Sequence, residues 1–302
     1  MRDRPGSILG DLATEAVNPE TAAIDSLNAL GIVRLMNEQD ARIAKAVRAE
    51  LPSIARAVEG IATRLRAGGH LIYVGAGTSG RLGVLDAAEC PPTFGTDPSL
   101  VQAVIAGGER ALTHAIEELE DRPEEGRRAL AAIGLTPRDA VVGIAASGRT
   151  PFVIGALEYA RETGALTVAV TCNRGSTLAS RAEIAIEPVV GPEVIAGSTR
   201  LKAGTAEKMV LNMLSTGAMV LLGKTYGNLM VDLRASNAKL RDRAVRIVAA
   251  VTGLPPEEAA RQLADAGGDA KTAIVAVLAG VTPEEARRRL HAVEGRVREA
   301  LS

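Results

Sequence analysis

The fold follows from the stretch LIYVGAGTSGRLG, which runs from Leu71 to Gly83. Its first part belongs to a short apolar run, His70 to Val74, that is bounded by glycines and does not alternate with polar residues. Such a run is typical of a strand buried on both faces. The glycine-rich turn that follows leads into a helical pattern. A strand, a glycine-rich turn and a helix in this order offer backbone N–H groups and a helix N-terminus to an anion.

Four further runs of the same kind follow along the chain, at 101–106, 140–146, 165–171 and 182–190. Segments with helical periodicity separate most of them. Buried strands that are interleaved with helices favour a parallel sheet covered on both faces. The sequence therefore predicts an α/β domain with a doubly wound, five-stranded parallel sheet flanked by helices.

The regions on either side of the predicted sheet are helical. Residues 21–67 carry apolar side chains at steps of three and four, and no strand signal occurs after about residue 238. The segments 254–263 and 281–290 resemble each other as starts of short helices, the second with Thr282 as N-cap and Pro283 in the first turn. We therefore predict an N-terminal arm with helices over 1–60, the α/β domain over 61–225 and a small C-terminal helical subdomain over 226–302.

Composition argues against nucleic acid as a partner. The chain has 302 residues with 35 Lys and Arg against 36 Asp and Glu, which gives a formal net charge of −1. It has no Trp, three Tyr and two Phe, so neither a basic stripe nor a set of aromatic stacking platforms is available. The 47% hydrophobic content is enough for an aliphatic core and excludes wholesale disorder.

Cysteine and histidine usage points to a reducing compartment and to chemistry without a metal. Cys90 and Cys172 cannot form a disulfide framework, and three scattered histidines show no metal-ligand spacing. The first residues, MRDRPG, precede no apolar run of the kind a signal peptide needs. Other apolar stretches are interrupted well before the ~20 residues of a membrane span. We expect a cytoplasmic protein that uses no cofactor and no membrane.

The first glycine-rich turn matches two nucleotide motifs only in form. Gly75, Gly77 and Gly80 fit the spacing G-x-G-x-x-G, but Asp97, at the right separation for a ribose, precedes the second strand instead of ending it. The turn also nearly fits a P-loop, yet Arg81 and Leu82 stand where Lys and Ser or Thr are required. Both a dinucleotide and an ATP-type ligand are therefore disfavoured.

A second and a third loop favour a compact phosphosugar. The strand 140–146 ends in Ser147-Gly-Arg-Thr150, so two strand ends of one sheet present small hydroxyls and free amides. The segment 191–205 is a polar turn before a helix and adds further hydroxyls and cations. The alternative is that Ser and Thr only cap helices and that the cations only pair with carboxylates. We expect a sugar phosphate to be bound by Gly77, Thr78, Ser79, Ser147, Gly148, Arg149, Thr150, Ser198 and Lys202.

These loops resemble the sugar isomerase (SIS) domain and, more closely, the N-acetylmuramic acid 6-phosphate etherase family. The resemblance rests on the segments 71–93, 142–151, 191–205 and 227–233, with Thr14, Glu15 and Asn18, and it covers essentially the whole chain. It implies the SIS fold, and the glucokinase regulatory protein is a related family. The single SIS domain of this chain resembles the shorter bacterial etherases. SIS domains are usually paired, so we expect a homodimer.

The resemblance implies removal of the lactyl ether from carbon 3 of the sugar with water, in the catabolism or recycling of cell-wall amino sugars. That chemistry needs a base for the carbon 2 proton and an acid for the departing lactate. The resemblance assigns Glu89 as the acid and Glu120 as the base. Residue chemistry alone does not choose Glu120 over its neighbours Glu117, Glu118 and Asp121, because most carboxylates in such a run form a solvated helix face.

Two other functions stay open from the sequence. One is a different SIS activity, a phosphosugar isomerase or deaminase, and the other is a sugar-phosphate sensor without catalysis. A pure sensor would have no need of a carboxylate pair. One residue also departs from the family pattern, since Glu207 stands where we expect Gln in many members. We expect Glu207 to face away from the ligand, because a negative charge beside a phosphate is unfavourable.

Overall fold

The computed structural model describes residues 12–116, 118–233 and 238–302. It divides into two compact units. The first contains Met1–Ala87 and Ser99–Leu214, and the second contains Ala88–Pro98 and Ser215–Ser302. The limits of these units fall within two long helices, α4 (Gly77–Phe94) and α8 (Lys202–Leu221).

The first unit begins with helices and continues as an α/β alternation. Two 3-10 turns, Pro19–Thr21 and Ile24–Ser26, precede α1 (Ala29–Asp40), α2 (Ile43–Ala49) and α3 (Leu51–Arg66). Pro52 lies in the first turn of α3, where its missing N–H costs no helical hydrogen bond. The remaining elements are β1 (Leu71–Gly75), the start of α4, β2 (Val101–Ile105), a 3-10 turn (Gly108–Leu112), α5 (Pro123–Ala132), β3 (Ala140–Ile144), α6 (Pro151–Thr163), β4 (Leu166–Val170), α7 (Thr177–Arg181), β5 (Ile184–Ile186) and the start of α8.

The predicted five-stranded parallel sheet is confirmed. The strand order is β2-β1-β3-β4-β5, and every pairing is parallel. All residues of β1, β3 and β4 are buried, as expected for central strands with helices on both faces. The last strand is shorter than the predicted run 182–190, because Pro188 lacks the N–H that a ladder requires.

The core of the first unit is aliphatic, as its composition predicts. One cluster of buried side chains packs residues of β1, β3 and β4 against α6 and α7, among them Ile72, Val141, Val153 and Leu157. Glycine allows elements to approach closely at one decisive position. A Cβ on Gly80 would lie 2.7 Å from Ile105 Cγ1 and 2.8 Å from the Gly75 carbonyl oxygen. Only glycine at position 80 therefore lets α4 pack this tightly against the ends of β1 and β2.

The second unit is helical after α8, as predicted for the C-terminal region. It contains α9 (Ala238–Thr252), α10 (Pro256–Asp265), α11 (Ala270–Ala279), α12 (Pro283–Ala292) and α13 (Val297–Ala300) around its own apolar cluster. Thr282 is the N-cap of α12, and its side chain accepts from the Glu285 amide at 3.3 Å. Within the described parts of the chain, none of the helices combines the length and the apolar character needed to cross a membrane.

Candidate active site

Two neighbouring strands bring the predicted loops to one edge of the sheet. β1 and β3 pair in parallel, with Gly75 opposite Ile144 at their carboxyl ends. The first loop leaves β1 and enters α4 at Gly77, and the second leaves β3 and enters α6 at Pro151. This edge is where parallel α/β sheets bind their ligands.

The second loop is shaped by a glycine with a positive φ. Gly148 has φ +67°, a region that L side chains rarely adopt. A Cβ there would also lie 2.3 Å from Ser176 Oγ and 2.6 Å from Thr171 Oγ1. The Gly148 carbonyl accepts from the Leu178 amide at 2.9 Å, which ties the loop to α7. Glycine at this position therefore fixes the course of the loop between Ser147 and Thr150.

Thr150 does not act as a side-chain cap. It occupies the N-cap position of α6, yet its hydroxyl makes no capping hydrogen bond to that helix. The hydroxyl instead donates to Glu120 Oε1 at 3.2 Å. Glu120 is also held by its main chain, because its carbonyl accepts from the Phe152 amide at 3.0 Å. The explanation that Thr150 only caps a helix therefore fails, and the side chain joins the loop to a carboxylate.

A cavity of about 270 Å³ lies between the two loops. Its walls are formed by small residues at the ends of β1 and β3, by hydroxyl-bearing residues and by two glutamates. Six of the residues predicted from the sequence line it: Gly77, Thr78, Ser79, Glu120, Ser147 and Thr150. A larger cavity of about 670 Å³ beside β2 has a mainly apolar lining and contains none of the predicted residues. The smaller cavity is therefore the candidate active site.

Four of the predicted binding residues are not among those that line the cavity. Gly148 and Arg149 belong to the second loop but contribute no lining group, and Ser198 lies in the turn before α8, next to the lining residue Thr199. Lys202 is buried, and its Nζ donates to Gln39 Oε1 at 3.2 Å. Burial lowers the pKa of Lys202, although Glu193 opposes the shift.

The two predicted catalytic glutamates differ in position. Glu120 lines the cavity and lies in the turn before α5, so it is not part of a solvated helix face. Its neighbour Glu118 is exposed, and Glu117 lies outside the described residues. Glu89 is exposed on α4, ten residues after Ser79, and it is not among the residues that line the cavity.

The cavity also holds a carboxylate that we did not predict as a site residue. Glu15 lines it, from the segment that precedes the first 3-10 turn. This segment is anchored on both sides of Glu15. Asn173 Nδ2 donates to Thr14 Oγ1 at 3.0 Å, and Asn18 Nδ2 donates to the Pro192 carbonyl at 3.3 Å. The pair Thr14 and Glu15 was a visible signal in the sequence, but nothing in local periodicity connects it with a loop some 130 residues away.

Glu207, which we expected to face away from the ligand, is not among the residues that line the cavity, but its side chain contacts the first loop from behind. It lies on α8 with 1% of its surface exposed, and both of its carboxyl oxygens are 3.0 Å from Ser79 Oγ. Burial raises the pKa of Glu207 to about 8, against the opposing effect of the Ser79 hydrogen bond and with a contribution from Glu193. At neutral pH this side chain is therefore mostly uncharged.

The chain is similar to known family models and to solved structures. The chain matches the model of the glucokinase regulatory protein N-terminal SIS domain over residues 53–161 and the SIS domain model over residues 111–217. The solved structure of a phosphoheptose isomerase from Francisella tularensis superimposes with a TM-score of 0.52 at 20% identity, covering 64% of this chain and 100% of that one. A phosphoheptose isomerase from Neisseria gonorrhoeae gives 0.50 at 19% identity, covering 63% and 98%. These likenesses show the SIS fold.

Curated relatives are much more similar. A protein from Streptomyces avermitilis is 57% identical over 97% of this chain and 94% of its own length. A protein from Symbiobacterium thermophilum is 61% identical over 88% of both chains, and one from Salmonella agona is 59% identical over 83% of this chain and 84% of its own. All three are named N-acetylmuramic acid 6-phosphate etherase.

Proposed function

This chain belongs to the N-acetylmuramic acid 6-phosphate etherase family, and we propose that the cavity at the ends of β1 and β3 is where it cleaves the lactyl ether of that sugar phosphate. The observation that carries the assignment is a carboxylate in the same cavity as two hydroxyl-bearing loops, with Glu120 bonded to Thr150 at 3.2 Å. The products are N-acetylglucosamine 6-phosphate and D-lactate, in the recycling of cell-wall amino sugars.

The phosphate end of the substrate is bound by the first loop. Gly77, Thr78 and Ser79 lie at the N-terminus of α4, where free amides and the helix dipole favour an anion. Ser147 and Thr150 approach the same space from the second loop. A cavity of about 270 Å³ suits one compact phosphosugar better than an extended dinucleotide.

The reaction proceeds by elimination followed by addition of water. In the ring-opened sugar the carbon 2 proton is acidified by the adjacent aldehyde, and Glu120 removes it as the base. The bond from carbon 3 to the lactyl oxygen breaks, a double bond forms between carbons 2 and 3, and the acid protonates the departing oxygen. Water then adds its hydroxyl at carbon 3 and a proton at carbon 2. The protein assists these bond changes by moving protons, so two carboxyl groups in different protonation states suffice.

Glu89 is our candidate for the acid, on the strength of its place in the segment that resembles the family. Glu15 is a second carboxylate that can contact the substrate, because it lines the cavity. We assign Glu15 to hydrogen bonds with sugar hydroxyls.

A lactate assay tests this function. Purified protein treated with a chelator is incubated with N-acetylmuramic acid 6-phosphate, and D-lactate is followed with a coupled dehydrogenase. We expect lactate and N-acetylglucosamine 6-phosphate in equal amounts. Conversion of the sugar phosphate without lactate would favour an isomerase or deaminase. Tight binding without turnover would favour a sensor and would remove the catalytic role of Glu120.

We also propose that the chain forms a homodimer. Leu30 and Val33 lie three residues apart on α1 and are 55% and 57% exposed, so this helix presents an apolar strip that a second copy can cover. Light scattering should give twice the chain mass of 31.2 kDa. A mass of one chain at working concentration would contradict this proposal.

A further inference from the structure

The strongest unexplained feature of the site is a buried carboxyl group directly behind the phosphate loop. Ser79 lines the cavity and is 9% exposed, whereas Glu207 behind it is 1% exposed. The Ser79 Oγ lies 3.0 Å from Glu207 Oε1 and 3.0 Å from Glu207 Oε2. The state of Glu207 therefore decides what the Ser79 hydroxyl can offer to a ligand.

The charged and titratable surroundings of Glu207 disfavour its ionised form. The negative charge of Glu193, in the turn before α8, also raises the pKa of Glu207. Glu193 accepts hydrogen bonds from the Lys202 and Ala203 amides at 3.0 and 2.9 Å. The Cys172 thiol, after β4, is also buried near Glu207, and burial raises the pKa of that thiol well above its usual value. The nearby Lys202 ammonium is directed to Gln39. With no cation acting on it among these neighbours, burial raises the pKa of Glu207 to about 8.

The two protonation states of Glu207 orient the Ser79 hydroxyl differently. A protonated carboxyl donates its O–H to Ser79 Oγ, and the Ser79 hydrogen is then free to point into the cavity. An ionised carboxylate has only acceptors, so Ser79 must donate to it, because a buried charge without a donor is costly. Ser79 would then present only lone pairs to the cavity, opposite an anionic phosphate.

We propose that Glu207 is a positioning residue for phosphate binding: its protonated carboxyl donates to Ser79 and so directs the Ser79 hydroxyl hydrogen toward the phosphate group of the substrate. This inference rests on the proposed function, in that it takes the cavity to bind a sugar phosphate. It also makes binding depend on pH. A phosphate monoester with a second pKa of about 6 is already a dianion above pH 7, so its own titration adds nothing there.

The test measures binding of N-acetylglucosamine 6-phosphate, the proposed product, by calorimetry between pH 6.5 and 9.5. For the native chain the Kd should be constant up to about pH 7.5 and should then rise toward about tenfold per pH unit, since one proton is linked to binding. Above pH 8, repeating the titration in buffers of different ionisation enthalpy should reveal uptake of a proton that approaches one per site.

Glu207→Gln is the decisive variant. Its amide donates to Ser79 at every pH, so its Kd should match the native value at pH 6.5, stay constant to pH 9.5 and involve no proton uptake. Ser79→Ala is a second variant in case the first does not fold, and its binding should be weaker and independent of pH. If Glu207 had only a structural role, the Kd of the native chain would not rise above pH 7.5.

The outcomes separate this inference from the proposed function. Native binding without pH dependence, or an alkaline loss that persists in Glu207→Gln, would overturn the role of Glu207 while leaving the etherase assignment intact. Absence of binding at pH 6.5 would overturn both. If the sugar phosphate binds with the expected proton uptake but no lactate is released from the substrate, the role of Glu207 stands and the catalytic assignment falls.

Discussion

The hydroxyl of Thr150 and the carboxylate of Glu120 are 3.2 Å apart, which joins the loop after β3 to the turn before α5. A second hydrogen bond, from the Phe152 amide to the Glu120 carbonyl, runs beside it at 3.0 Å. Glu120 is thus fixed through both its side chain and its main chain at the edge of the cavity. This arrangement distinguishes Glu120 from Glu118 and Asp121, the other described carboxylates of the acidic run, and leads to the first prediction.

Glu120→Gln should lower kcat by roughly 10²–10⁴-fold, which is the usual contribution of one positioned acid or base. The amide keeps the size of the side chain and an acceptor for Thr150, so binding of N-acetylglucosamine 6-phosphate should change little. The matched control is Glu118→Gln, because Glu118 is exposed two residues away. Equal activity of the two variants in the lactate assay would remove Glu120 from the mechanism.

Glu89→Gln should also lower kcat by roughly 10²–10⁴-fold if Glu89 protonates the departing lactate. Glu89 is exposed, so the substitution should leave thermal stability unchanged. A substrate whose leaving group needs no protonation would separate the roles further, since its elimination should be insensitive to Glu89→Gln but not to Glu120→Gln. An unaltered kcat with the natural substrate would exclude Glu89 as the acid.

Glu15→Gln should raise KM more than it lowers kcat. The side chain lines the cavity, and loss of a hydrogen bond worth about 0.5–1.5 kcal/mol corresponds to a change of about two- to tenfold in KM. Asp25→Asn is the control, as an exposed carboxylate in the second 3-10 turn. A large fall in kcat with unchanged KM would instead identify Glu15 as the acid.

Gly148→Ala should destabilise the fold, by about 1–3 kcal/mol for the backbone strain alone. The methyl group would in addition meet Ser176 Oγ at 2.3 Å, and α7 would have to move. Gly175→Ala is the matched control, since Gly175 has φ +64° but no atom within 4 Å of the added methyl group. Urea unfolding should show the larger loss for Gly148→Ala, and equal losses would mean that contact with Ser176 has no part in the effect.

Asp139 should make stability depend on pH in the acid range. Burial alone would raise its pKa, but hydrogen bonds from Thr136 and His70 outweigh burial and hold the pKa of Asp139 below its usual value. A lowered pKa stabilises the fold above the unfolded value near 4, and this contribution is lost as pH falls through the folded value.

Asp139→Asn should therefore reduce the free energy of unfolding at pH 7, and the difference from the native chain should shrink as the pH approaches 2. Asp121→Asn, at an exposed position, is the control. Its free energy of unfolding should match that of the native chain at every pH. A gap between native and Asp139→Asn that stays constant with pH would mean that packing, and not ionisation, explains the role of Asp139.

Much of the fold was predictable because it depends on local patterns. The short apolar runs identified all five strands, and the glycine-rich turn after β1 identified the edge of the sheet with the candidate site. The strand predicted over 182–190 is longer than β5. Apolar residues continue after Ile186, but Pro188 has no N–H to donate to the hydrogen-bond ladder. The candidate hydroxyls Thr78, Ser79, Ser147 and Thr150 were predicted for the same reason, as they directly follow strands.

Other features depend on contacts between distant segments. Glu15 reaches the cavity through side-chain hydrogen bonds made by Thr14 and Asn18 to residues more than 150 positions away. Glu207 reaches Ser79 across 128 positions, and the helical pattern of α8 alone did not reveal that its carboxyl group faces the loop.

The sequence by itself therefore determined the class of fold, the edge of the sheet that carries the candidate site and the family, because strand burial, glycine-dependent turns and long motifs depend on consecutive residues. The resemblance singled out Glu120, but only the tertiary structure showed that Glu120 lines the cavity, that Glu15 joins it, and that Glu207 is buried against Ser79. Folding buries these side chains and brings their hydrogen-bond partners together from distant segments. Their protonation and orientation therefore cannot be predicted from the local sequence.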